Sequence, residues 1–89
     1  MKGYIIILEN NSRYRPGTEA DTTVYTKIEI AKVAFVEKLN ELKADPNKFF
    51  GFAKKIDLRY KRVTDRYVEI KDSFNGDIVN IYIHEVEIL

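Results

Sequence analysis

Apolar residues run continuously from Tyr4 to Leu8 in Gly3-Tyr4-Ile5-Ile6-Ile7-Leu8, and Glu9-Asn10-Asn11 ends the run. A short, β-branched, uninterrupted run of this kind predicts a strand inside a sheet, covered on both faces. Residues 10–21 carry no apolar periodicity and contain Pro16-Gly17, which predicts a loop or wide hairpin tip. Thr22-Thr23-Val24-Tyr25 then reads as a short strand returning beside the first.

The helical signal follows. Ile28, Ala31, Phe35, Leu39 and Leu42 recur at three- and four-residue steps, with Val33 and Ala34 flanking. This stripe predicts an amphipathic helix over about 27–43. Thr26-Lys27-Ile28-Glu29 has the spacing of a capping box, and Tyr25 and Ile30 stand at the positions of a hydrophobic staple. The helix should stop before Asp45-Pro46, because the residue preceding a proline disfavours helical backbone. The same pair can open a short second helix near 46–53, with Asp45 as cap, Pro46 in the first turn, and Phe49, Phe50 and Phe52 covering the core. Gly51 weakens that helix, and an irregular aromatic link is the alternative.

The last third of the chain alternates. Ile56, Leu58 and Tyr60 interleave with Asp57, Arg59 and Lys61; Val68 and Ile70 interleave with Tyr67, Glu69 and Lys71. Thr64-Asp65 turns the chain between the two strands. Asn75-Gly76 suits a type I′ hairpin, whose register would set Ile70 against Ile81, Val68 against Ile83, and Asp72 against Val79. The same register sets Arg66 against Glu85, Glu69 against Tyr82 and Tyr67 against His84. Beyond Ile83 the apolar phase slips to Val86 and Ile88, which predicts a bulge near His84 or a sheet extended by a partner. The expected architecture is α+β and two-layered: the main helix packs on a four- or five-stranded, mostly antiparallel sheet, with residues 1–89 forming a single domain.

Composition narrows the chemistry. The chain has 89 residues, enough for one core only, and 45% are hydrophobic, which is far from a disordered composition. It has no cysteine, so disulfides, thiolate metal sites and thiol nucleophiles are excluded. Net charge near +1 argues against a global polycation or a strongly acidic mimic of nucleic acid. The N-terminal apolar run is too short for a secretory signal or a membrane span, so the expectation is a cytoplasmic protein with no membrane association.

No catalytic constellation stands out. His84 is the single histidine, and a strand would place it and Glu85 on opposite faces. A half-exposed strand histidine beside Tyr67 is the simpler reading. The four glycines form no phosphate-binding loop, and the expectation is no cofactor and no metal. Charge is more informative. Residues 54–66 hold six basic side chains against two acidic ones, whereas 69–89 hold five acidic against one basic. Arg59, Tyr60, Lys61 and Arg62 on the basic strand, with Arg13, Tyr14 and Arg15 in the loop, are the candidate binding residues, because arginine and tyrosine anchor interfaces. The plainer reading of the strand is a solvated edge protected by charge.

The expected function is a non-enzymatic small binding or inhibitor protein that occludes a protein partner, of the accessory, anti-defence kind encoded by phages and other mobile elements. The first alternative is a single-stranded nucleic-acid-binding module built on the 54–66 strand and the Arg/Tyr loop. The second is a small hydrolase using His84. A homodimer through a sheet edge or face is a further expectation, since small domains gain stability by covering a second face.

Overall fold

The structure is a computed structural model that describes residues 1–12, 16–50 and 57–88. Its elements in chain order are β1 (Lys2–Asn10), β2 (Gly17–Ala20), α1 (Ile28–Ala44), α2 (Asn47–Phe50), β3 (Leu58–Lys61), β4 (Tyr67–Asp72) and β5 (Ile78–Glu87). The strands form one antiparallel sheet in the order β2-β1-β5-β4-β3. Helix α1 lies across one face against β1 and β5, giving the expected α+β two-layer fold with five strands.

The core lies between α1 and the sheet. Ala31, Phe35 and Leu42 of the helix meet Ile6 and Leu8 of β1, Val68 and Ile70 of β4, and Val79 and Ile81 of β5. Phe49 and Phe50 of α2 close one end, as the aromatic run predicted. Asn10 pins that end: its side-chain amide donates to the Phe49 carbonyl at 2.8 Å, and its carbonyl oxygen accepts from the Ser12 amide at 2.9 Å. Phe52, Ile56 and Gly51 lie outside the described residues.

Several expectations are corrected. The strand pairing with β1 is Gly17–Ala20 rather than residues 22–25, of which Tyr25 alone bridges to Tyr4. β1 is internal, but Ile5 and Ile7 are only half-buried, because a single helical layer covers a single face. The capping box does not form. α1 begins one residue after an extended Lys27 whose side chain makes no capping bond, and Ile30 of the expected staple is exposed.

The β4–β5 register differs from a two-residue turn by two positions. Tyr67 pairs with Tyr82, Val68 with Ile81, and Ile70 with Val79. The cause is Asp72. Its backbone amide donates to the Asp77 carbonyl, and the Gly76 amide donates back to the Asp72 carbonyl, so residues 73–76 form the loop. Only Gly76 takes a positive φ there, at 74°; Asn75 does not, so the type I′ turn is absent. A slip of two preserves which face each side chain occupies, so the core prediction survives it.

No bulge appears at His84. β1 and β5 pair without interruption from Lys2↔Glu87 to Asn10↔Val79. The displaced apolar residues have a local use instead. Gly3 pairs with Val86, and the Ile88 and Val24 side chains lie where a Gly3 β-carbon would stand, 2.5 and 2.7 Å from that position. A small residue at position 3 lets those two side chains close the N-terminal corner of the sheet.

Candidate functional site

Strand alternation assigns the sheet's two faces. Tyr4, Ile6, Leu8, Val68, Ile70, Val79, Ile81 and Ile83 belong to the face beneath α1. The opposite face carries Ile5 and Ile7 of β1, Tyr82 and His84 of β5, Tyr67, Glu69 and Lys71 of β4, and Arg59 and Lys61 of β3. No described helix lies on it.

At the centre of this open face, Tyr67 and Tyr82 stand directly opposite each other with ring centroids 6.2 Å apart and planes 29° from parallel. Both rings are half-buried and both hydroxyls are held. Tyr82 donates to the Glu9 carboxylate at 2.7 Å and Tyr67 to the Asn80 side-chain oxygen at 3.3 Å. The Glu9 hydrogen bond, together with burial, raises the Tyr82 pKa, so its hydroxyl stays protonated and its ring stays fixed. Ile7 lies on the other side of Tyr82, extending the ring pair into an apolar strip across three strands.

The next cross-strand row beside the strip is Glu9, Asn80, Glu69 and Lys61, and the cations Arg59 and Lys71 stand one row beyond it. Arg59 of β3 and Lys71 of β4 are directly opposed, and like charges in that position destabilise a ladder. The Asp57 carboxylate, 3.1 Å from the Arg59 guanidinium, offsets one of the two. Lys61 sits opposite Glu69. Arg62 ends the strand with φ 53°, a left-handed conformation unusual for a residue other than glycine.

Among the described residues, the sequence-nominated side chains of β3 divide between the two faces of the sheet. Arg59 and Lys61 reach the open face, but Tyr60 points to the helix side. There the Lys43 ammonium lies 5.2 Å from its ring centroid and burial raises its pKa. Arg13, Tyr14 and Arg15 lie outside the described residues. His84 is exposed, sits opposite Ile5 rather than Tyr67, and is not beside an acidic pair. Glu85 faces the other way and meets Lys2 at 3.6 Å instead of Arg66.

Sequence reasoning missed the Tyr67–Tyr82 pair because the assumed turn placed each tyrosine two positions away. The signal that could have found it is Asp72-Ser73-Phe74-Asn75-Gly76. An aspartate four residues before a glycine fits a longer turn capped by the aspartate side chain.

Elsewhere the chemistry is sparse. A groove of about 270 Å³ separates the β1–β2 hairpin from α2, lined by Asn10, Gly17, Thr18, Glu19, Lys48 and Phe49. Lys48 is engaged by Glu41 at 2.8 Å, and this contact holds the Glu41 carboxyl below its usual range. Among the described residues there is no cluster of three or more potential metal ligands. Among the described residues no helix is long and apolar enough to cross a membrane. No family model matches the sequence, and no curated protein and no solved structure matches the chain.

Proposed function

We propose that the protein is a non-enzymatic binding module that docks an acidic protein partner on its open sheet face and acts by covering that partner's surface. The observation that carries this reading is that one open face holds both the ordered Tyr67–Tyr82 pair and, two rows along the strands, the directly opposed cations Arg59 and Lys71. Rigid aromatics supply contact area at small entropic cost, and a cation pair that Asp57 only partly offsets favours carboxylates arriving from outside. Unlike the sequence-based site, this one excludes Tyr60 and places Arg59 and Lys61 at its rim.

A single-stranded nucleic acid would also use tyrosines and cations. The open face disfavours it, because a continuous phosphate backbone running from the rings to the cations would cross the row of Glu9 and Glu69, whereas a folded partner can place its carboxylates at Arg59 and Lys71 alone.

The test compares capture from the native host by the wild type with capture by Arg59→Glu/Lys71→Glu and Tyr67→Ser variants, each checked for folding by circular dichroism. One protein should be recovered by the wild type, weakened by raised salt, and lost with both variants. Equal recovery by all three would remove the open face from the model. A labelled single-stranded oligonucleotide that binds the wild type in low salt and fails to bind Tyr67→Ser would replace the protein partner with nucleic acid.

A further inference from the structure

The core stripe of α1 does not account for all of its apolar residues. On the opposite side Ile30, Val33 and Val36 are 52%, 59% and 50% exposed. A helix that is apolar on two sides is one that packs on two sides. Val33 is the centre of the outer patch. Its helical neighbours at minus and plus three are Ile30 and Val36, and those at minus and plus four are Glu29 and Glu37. An apolar row and an acidic row therefore cross at Val33.

The two carboxylates are uncommitted. Among the described residues neither has a cation within ion-pair distance, whereas the nearby lysines are taken: Lys32 by Asp65 at 2.8 Å and Lys38 by Glu41 at 3.8 Å. Glu29 also gains from the positive end of the helix dipole in the first turn. Glu37, in mid-helix, has no such reason to be there.

We propose that the outer face of α1 around Val33 is a second docking surface, and that it takes a basic amphipathic helix from a protein partner. The acidic row selects this occupant over a second copy of the chain. An antiparallel two-fold pair centred on Val33 would set Ile30 against Val36 but Glu29 against Glu37. A parallel pair would set each glutamate against itself. Both homotypic arrangements oppose carboxylates, whereas a helix with Lys or Arg flanking its apolar row satisfies both. The surface is separated from the open sheet face by the whole thickness of the domain, so the two partners differ in charge and can be bound together.

The probe is a fluorescein-labelled model helix of about five turns, with leucines at three- and four-residue steps flanked by lysines, and a matched peptide carrying glutamates instead. Anisotropy titration of the full chain should show binding of the lysine peptide and not of the glutamate peptide. Val33→Asp should weaken it by roughly tenfold or more, as loss of a central apolar anchor does. Glu29→Lys/Glu37→Lys should reverse the preference between the two peptides. All three positions are exposed, so these variants should retain the fold, and circular dichroism checks it. Three results would overturn the proposal: an unreversed preference in the double variant, loss of binding in Tyr67→Ser, or a wild-type dimer in sedimentation that Val33→Asp dissociates.

Discussion

Asp72 is a carboxylate with no exposed surface, and it sets the geometry of the chain on both sides of it. One oxygen accepts from the Asp57 and Phe74 amides, each at 3.1 Å, and the other accepts from the Asn75 side chain at 2.6 Å. Burial raises its pKa, but these donors outweigh burial and hold it below the ordinary aspartate value. A folded-state pKa below the unfolded one means that the stabilisation is complete above the unfolded value and is lost as pH falls through the folded value. Asp72→Asn would keep one acceptor oxygen but set an NH2 donor against either the Asp57 and Phe74 amides or the Asn75 side-chain amide. It should cost about 1–3 kcal/mol near neutral pH, measured by urea unfolding. The gap between wild type and variant should narrow as pH falls below about 4, the unfolded-state value, and close towards the lower folded-state value. A constant gap from pH 7 to pH 2.5 would show that the charge contributes nothing.

At the scale of elements, the start of α1 separates sequence signal from structural outcome. Thr26 and Glu29 have capping-box spacing, yet the cap position falls on Lys27, one residue later. The bridge between Tyr25 and Tyr4 explains the shift: two backbone hydrogen bonds of 2.8 Å hold Tyr25 on the sheet, and the helix begins where the chain can leave it. Thr26→Ala should therefore change the unfolding free energy by less than about 0.5 kcal/mol, where loss of a working cap costs about 1. A loss of 1 kcal/mol or more would restore the cap in solution. The same contrast marks what was legible beforehand. The α1 stripe, the α2 phenylalanines, the Thr64 turn and the alternation of β4 and β5 are periodic or local, and they stand where expected. The Thr64 hydroxyl, for example, accepts from the amides of Arg66 and Tyr67. Strand partners and register depend on long-range pairing and on a turn whose length one aspartate decides. The second strand and the Tyr67–Tyr82 pair were therefore missed. The candidate face was legible in its residues, the tyrosines and cations that alternate away from the core, and not in their pairing, because alternation alone does not set register.

For the whole molecule, the strand order makes stability uneven. β1 and β5 pair over nine consecutive positions in the middle of the sheet, and α1 packs on them. β2 and β3 are the two edges, each four residues long; all of β2 and all but Leu58 of β3 are exposed. Opening an edge strand uncovers little of the core, whereas opening β5 uncovers nearly all of it. Native-state hydrogen exchange should accordingly be slowest for the amides that bond β1 to β5, those of Ile5, Ile7, Asn80 and Tyr82, at rates set by global unfolding. The amides of residues 17–20 and 58–61 should exchange through smaller openings, and their rates should depend less on added denaturant. Both proposed docking faces rest on the slow part: Tyr82 lies on β5, and Val33 lies on the helix packed against it. A partner on either face then meets a preorganised surface and orders no new backbone, which favours affinity from a small contact area. If β5 instead exchanged as fast as the edges, with the same denaturant dependence, the two faces would be rearranging on their own and neither could serve as a rigid platform.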